Sequence, residues 1–339
     1  MSDHAATVQP APVEVAPGIF LIRVPLPDNA LKWLNSYLIM DDERPLLIDV
    51  GFNRVECEDA LRDGLAACGL TFADVDVLVT HTHPDHTGCL DRIWREGMKV
   101  YGHFHSFAEV RTLNDLPKRT FLPIVDVVIA EAAVQRRPER RFDADLAPVR
   151  GDYPISYLRE GDVLERGRCR CEVIETPGHN LAHICLYDRA SRLMVTGDHV
   201  LEHITPNISS FFLETDDLGD FLTSLEKVRA YDVSLSLPGH GEPFAGVSRR
   251  AEELRAHHFA RLAEMEELVR AGHHDIIDIT ANASWKYPNW YGWSVAQKFF
   301  SIGETMAHLV HAVHQGVLRM TIEGEVVEFE VASADRPAS

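Results

Sequence analysis

No stretch of about 18 apolar residues occurs in the 339 positions of the chain, which excludes a membrane-spanning helix. The first residues, Met1-Ser2-Asp3-His4-Ala5-Ala6, lack the basic start and apolar core of a secretory leader. Net positive charge is missing as well. Against 52 acidic residues stand 33 basic ones, a formal charge of −19, and a surface that acidic repels nucleic-acid phosphates and anionic lipid on average. Cysteine is scarce and scattered. Cys57, Cys68, Cys89, Cys169, Cys171 and Cys185 do not make the dense framework of a small secreted domain, so reduced, buried thiols are expected. Cys169 and Cys171, two apart in an extended segment, share a face. Strand packing is expected there, with a Cys-x-Cys metal site as the alternative. A cytoplasmic protein is expected, with no membrane partner and with nucleic acid disfavoured as a partner.

An apolar content of 45% supports a folded chain, and 339 residues suggest one large domain followed by a smaller one. The most informative stretch runs from Val75 to Gly88. Val75, Val77, Leu78 and Val79 read as a buried strand rich in β-branched residues. His81, His83, Asp85 and His86 then fall within six positions, with Pro84 to stop the strand and Asp85 to cap a following helix. Side chains at the C-terminal edge of a strand sit where mixed folds place their chemistry. Nitrogen and oxygen ligands suit a borderline or hard cation, and the lack of cysteine among them argues against a closed structural zinc site. Three later loops, each behind an apolar segment, offer further ligands: Thr176-Pro177-Gly178-His179, Thr196-Gly197-Asp198 and Leu237-Pro238-Gly239-His240-Gly241.

The His-x-His-x-Asp-His run, with these three loops behind it in fixed order, resembles the metallo-β-lactamase superfamily over roughly residues 15 to 245. The resemblance implies an α+β fold, an αββα sandwich. It also implies two divalent ions, zinc first, with iron and manganese accepted by the same ligands. One ion would be held by His81, His83 and His179, the other by Asp85, His86 and His240, with Asp198 bridging them. Asp85 is also the catalytic candidate. Asp49, at the end of the strand Pro45–Ile48, matches the family's aspartate that hydrogen-bonds a metal-binding histidine. His199, directly after Asp198, is expected to support the centre or to pack in the core, with substrate contact as the alternative. A water between two cations is acidic enough to supply hydroxide at neutral pH, and the same ions stabilise an oxyanion. The implied reaction is hydrolysis of an ester-like bond, with a small acyl thioester or ester favoured. A lactone, a β-lactam, an RNA phosphodiester or a one-iron persulfide dioxygenation are the alternatives.

Short strands are expected over 19–24, 35–40 and 45–48. A helix is expected over 55–68 with Val55, Leu61, Leu65 and Cys68 inward, and another after Asp85 with Leu90, Ile93 and Trp94 inward. His103 and His105 are expected to be strand-edge residues outside the site. Residues 106–155 form an insert, a candidate lid; its run Arg136-Arg137-Pro138-Glu139-Arg140-Arg141 reads as a solvated surface or, alternatively, an anion clamp. A strand-like stretch over 156–175 leads to Gly178-His179, and a hairpin over 183–196 delivers Asp198. An amphipathic helix over 216–231 carries Leu218, Phe221, Leu222, Leu225 and Val228. The catalytic domain is placed at 1–248.

Residues 249–339 read as a helical, winged-helix-like module. It would contain a helix over 250–271, an aromatic knot (Trp285, Tyr287, Trp290, Tyr291, Trp293), a helix from Ser294 or Ile302 to Gln315, and a hairpin over 318–331 turning at Glu323-Gly324. Such modules occur on several members of the superfamily, including the group similar to lactamase-β-like protein 2. From residue 251 onward there are 7 basic and 13 acidic residues, which argues against DNA reading. His308, His311 and His314 are expected on an exposed helix face. The aromatic knot is expected to be module core, with a pocket wall and homodimer contact as the alternative.

Overall fold

The computed structural model describes residues 11–103, 153–210, 215–323 and 326–332. The candidate lid over 106–155 lies outside them except for its last three residues, as do His105 and the Gly324 turn.

The N-terminal half builds a seven-stranded sheet in sequential order: β1 (Val13–Ala16), β2 (Ile19–Pro25), β3 (Trp33–Ile39), β4 (Leu46–Ile48), β5 (Asp76–Leu78), β6 (Val100–His103) and β7 (Ile155–Leu158). Pairing is antiparallel from β1 to β4 and parallel from β4 to β7. The switch follows from the connections, because parallel neighbours need a crossover and α1 (Val55–Ala67) provides the first. Two single-turn helices, α2 (Pro84–Thr87) and α3 (Leu90–Ile93), lie between β5 and β6. A second, five-stranded sheet runs β12-β11-β10-β9-β8, from β8 (Val163–Arg166), β9 (Cys169–Glu175), β10 (Ile184–Asp188), β11 (Leu193–Gly197) and β12 (Leu235–Pro238). Helix α4 (Asp217–Arg229) links its last two strands, which are parallel.

Alternation along the strands decides the layering. In β10, Ile184 and Leu186 face one core while Cys185 and Tyr187 face another, and in β3 Tyr37 and Ile39 oppose Leu34 and Leu38. The shared core between the sheets holds Tyr37, Ile48 and Leu78 from the first and Val173, Leu186 and Val195 from the second. The first sheet's other face packs on Leu61 and Leu65 of α1. The second sheet's other face packs on Phe221, Leu225 and Val228 of α4 and on Leu254 of α5 (Val247–Arg270). The architecture is thus helix, sheet, sheet, helix. Cys169 and Cys171 point together into the inter-sheet core, and none of the six cysteines is in a disulfide.

After α5 come α6 (Ile276–Asn282), a 3-10 turn over Trp290–Gly292, α7 (Val295–His314) and a hairpin of β13 (Leu318–Glu323) and β14 (Val326–Val331). Helix α6 was not foreseen in the sequence. Ser294 begins α7 with a capping box to Gln297, which selects the earlier of the two expected starts. No helix among the described residues is long and apolar enough to cross a membrane.

Some expectations are corrected. Val55 points outward and Cys68 is only half-buried; α1 instead buries Cys57, Ala60 and Gly64 beside its leucines. Asp85 is not a cap: Pro84 takes the first helical position after an extended His83, and Asp85 lies inside the turn. His308 and His311 are buried rather than exposed, because α7 packs on α4 and α5; only His314 faces solvent. The aromatic knot divides. Trp290 is buried and Trp285 and Trp293 pack against the module core, whereas Tyr287 and Tyr291 are exposed.

Candidate metal centre

Each candidate ligand arrives at the same edge of the sandwich for a local reason. The chain past β5 stays extended through Val79, whose N–H donates to Tyr101 O (2.9 Å). It then delivers His81 and His83 before Pro84 forces the α2 turn, which presents Asp85 and His86. β11 and β12 are parallel neighbours, so Asp198 and His240 leave adjacent strand ends side by side, with Gly239 N donating to Gly197 O (2.8 Å). A Cβ at 239 would lie 2.4 Å from Asp198 Oδ1, so any larger residue there would push that carboxylate aside. Gly178 turns the chain after β9 at a φ of +129° and lies so close to α4 that a Cβ would come within 2.4 Å of Phe221 Cα. Stitches between the sheets hold this edge together: Ile184 N donates to Thr80 O (2.9 Å), and Asn35 Nδ2 and Tyr37 Oη both donate to Pro238 O (2.9 Å each).

The imidazoles are oriented from behind. His86 Nδ1 faces Asp49 Oδ2, His179 Nδ1 donates to Asn207 O, and His240 Nδ1 donates to Trp33 O, each at 2.8 Å. His81 Nδ1 lies 3.1 Å from Thr80 Oγ1, a hydroxyl whose proton goes to Asp49 Oδ2 (2.8 Å). Anchoring Nδ1 leaves Nε2 of all four rings turned inward as a potential ligand. His81 Nε2 meets His83 Nδ1 at 3.0 Å. Asp198 Oδ2 lies 3.5, 3.8 and 3.4 Å from Nε2 of His86, His179 and His240, and Asp85 Oδ2 lies 3.3 Å from that of His240. Three overlapping groups result: His81, His83 and His179; His81, His86 and Asp198; Asp85, His86 and His240. Within each group the ligand atoms lie no more than 4.8 Å apart.

The fit to cations rests on inward-facing atoms that lack a well-aligned hydrogen bond. His86 Nε2, His179 Nε2, His240 Nε2 and Asp198 Oδ1 are buried with no hydrogen-bond partner among the described residues. Such orphans are costly unless a ligand takes them up. Electrostatics divides the rings. Burial, then the surrounding rings, pushes His81 well below its ordinary value, and His83 goes down to about 3. Burial also lowers His179. These three are neutral, as ligands must be. Burial opposes charge on His86, but Asp49, Asp198 and Asp85 outweigh it and raise that ring well above normal. His240 behaves alike: Asp198 and Asp85 overcome burial and lift it to about 10. Burial raises the Asp85 carboxyl, but His86 and His240 prevail and bring it to about 2; Asp198 is held well below the usual carboxylate range by the same two rings.

All seven ligand candidates from the sequence therefore converge. Asp49 takes the expected place behind His86, with φ at +58° and its Oδ1 accepting from Thr80 N (2.8 Å). His199 is fully buried but stacks between His183 and Phe221, with ring centroids 6.0 and 5.1 Å away, and is in none of the three groups. His199 thus takes the packing role of those expected, and Asp198 is supported by His183, which no sequence motif singles out. Its Nε2 accepts from Asp198 N (3.1 Å), its Nδ1 donates to Thr176 Oγ1 (2.7 Å), and its ring lies 5.1 Å from that of His81. The only signal was a histidine heading the apolar strand Ile184–Asp188. His103, left out of the site, pairs with Glu175 instead (3.0 Å).

Two facing sheets with outer helices, and a buried histidine–aspartate cluster at one edge, define a class of metal-dependent hydrolase. The chain belongs to the metallo-beta-lactamase superfamily, whose profile matches residues 34–240. It is 30% identical over 253 residues to the probable metallo-hydrolase YqjP of Bacillus subtilis, covering 69% of this chain and 75% of that protein. It is 25% identical over 233 residues to the acyl-coenzyme A thioesterase MBLAC2 of Bos taurus, covering 67% and 79%. Among solved structures, a metallo-beta-lactamase family protein of Thermus thermophilus superposes with a TM-score of 0.76 at 28% identity, over 93% of this chain and 99% of that one. That likeness extends through the C-terminal helices.

Proposed function

We propose that this protein binds two divalent ions, zinc first, and hydrolyses small acyl thioesters. The observation that carries the reading is the set of orphaned, inward-facing atoms shared by three overlapping ligand groups. His81, His83 and His179 surround one position, and Asp85, His86 and His240 the other. Asp198, within 4 Å of three of these imidazoles, lies between the two. Cations bound there supply Lewis acidity and a water acidic enough to attack at neutral pH.

The remaining work falls to the chain. Thr82, His83, Pro84 and Asp85 are half-buried while His81 and His86 are sealed, so the substrate approaches over the α2 turn. Asn180 Nδ2 donates to Thr82 Oγ1 (2.8 Å) and fixes that rim. Asp85 stays ionised there and turns one oxygen toward His240; its carboxylate would accept the proton of a water attacking the acyl carbon. Water adds to the acyl carbon, the carbon–sulfur bond breaks, and the products are a carboxylic acid and a free thiol. The named activity of the bovine relative supports a thioester over a lactone or phosphodiester. The excess of acidic residues supports a small molecule over nucleic acid as the partner.

The test is a turnover panel of acyl thioesters, lactones, phosphodiesters and β-lactams on protein of measured metal content. The expected result is highest kcat/KM on thioesters, abolished by chelation and restored by zinc. A preference for phosphodiesters, or a rate indifferent to complete removal of the ions, overturns the proposal.

A further inference from the structure

Residues 200–210 contain no helix or strand, yet they are held from two sides. On one side is the C-terminal helical module. Arg250 of α5 donates through Nε to Leu201 O (2.8 Å) and through Nη2 to Ile204 O (3.1 Å). Ser210 N donates to Gly303 O (3.2 Å), and Asn207 Nδ2 reaches Phe300 O (3.4 Å); both carbonyls belong to α7. Ser209 Oγ donates to Asn207 Oδ1 (2.5 Å) and fixes the amide, while Ile208 is fully buried under α4 and α5. On the other side is the cluster, where Asn207 O accepts the Nδ1 proton of His179 (2.8 Å). One residue thus touches α7 with its side chain and a candidate metal ligand with its carbonyl.

The other anchors differ in origin. Thr80 behind His81, Asp49 behind His86 and Trp33 behind His240 all belong to the first sheet or the loops at its edge. Only His179, among these four, is oriented by a segment tied to the C-terminal module. From this geometry we propose that the module is a working part of the metal centre. Through Asn207 it positions His179, and so it sets the affinity of the ion held by His81, His83 and His179, leaving the ion at Asp85, His86 and His240 unaffected. This rests on the reading of the cluster as a two-ion site. Asn207 is a positioning residue: it acts on the ion only through the imidazole it orients. Outer partners of metal-binding histidines commonly govern 10- to 100-fold in affinity.

The experiment uses the full chain, stripped of metal and titrated with zinc against a chromophoric chelator. His83→Ala and Asp85→Ala serve as references, because each removes a ligand of one ion. In Asn207→Ala the ion lost in His83→Ala should weaken by about 10-fold, the other should bind as in the parent, and thermal unfolding of the metal-free protein should barely move. Asn207→Gln, which retains an amide, should recover part of the loss. Arg250→Met, which releases the far end of the segment, should show the same selective weakening and keeps the test available if Asn207→Ala does not fold. Unchanged binding of both ions in the variants overturns the proposal, and so does equal weakening of both. A parent protein that takes up no zinc overturns the metal reading along with it, which separates the two failures.

Discussion

Asp198 is the residue on which the cluster converges. Its Oδ2 sits within 4 Å of three imidazole nitrogens, and its Oδ1 is buried without a hydrogen-bond partner among the described residues. Asp198→Ala should therefore lose most bound metal and nearly all turnover, read by elemental analysis and kcat. A variant retaining both ions and full rate would remove Asp198 from the centre. One step further out, Asp49→Asn keeps the shape but loses the charge behind His86, and should weaken metal binding by about 10- to 100-fold. Protons follow the same logic. His86 and His240 carry folded pKa values above the ordinary imidazole value, His240 at about 10, because carboxylates face them. Their contribution to the stability of the metal-free fold is complete below the unfolded value. It is lost as pH rises through the folded one. A cation must displace those protons, so zinc binding at pH 7 should release one from each ring, and affinity should rise by about tenfold per pH unit for each proton released. Calorimetry in buffers of different ionisation enthalpy measures the count; no proton release would contradict the charge states assigned here.

At the level of elements, the second sheet and α4 form the wall against which His179 is placed. Phe221 of α4 is fully buried, lies against Gly178 and stacks on His199 and His258. Phe221→Ala removes that contact and opens a cavity, with an expected cost of about 3–5 kcal/mol in chemical denaturation. Gly178→Ala should fare as badly for a different reason, combining a left-handed backbone with a collision against α4. Ser294→Ala, which deletes the capping box of α7, should cost about 1 kcal/mol in chemical denaturation. Elements of this kind are legible in the sequence where the local pattern is strong: β10 and β11 are short continuous apolar runs, and α4 follows from helical spacing. Helix α6 was not, because at seven residues it is too short to show a period. The buried face of α7 was misjudged for another reason. Histidines read as polar, yet His308 is satisfied inside by His258 Nδ1 (3.2 Å) and by Glu304 O (2.7 Å), partners that spacing alone does not reveal.

Across the whole molecule, ions bound by the native fold and not by the unfolded chain stabilise it by mass action. Zinc at 100 times its dissociation constant should add about 2.7 kcal/mol per site, so chelation should lower Tm measurably in a thermal scan. An unchanged Tm after verified metal removal would show that the ligands are as well satisfied without cations as with them.

What the sequence alone determined was the inventory and its order: seven ligand candidates in four motifs, each behind an apolar strand, plus the second-row aspartate Asp49. Side-chain chemistry and local periodicity are written in consecutive residues, which exposes the four motifs; the place of Asp49 followed only from the resemblance to the superfamily. What only the tertiary structure decided was aim. Which nitrogen of each ring faces inward depends on Trp33, Thr80, Asp49 and Asn207. His183 rather than His199 supports Asp198 because of how two strand ends meet. Whether the C-terminal helices bear on the centre depends on contacts across nearly a hundred residues of chain. Hydrogen bonds between remote segments leave no local period, and so the physical reason for their absence from the sequence reading is that only the folded packing creates them.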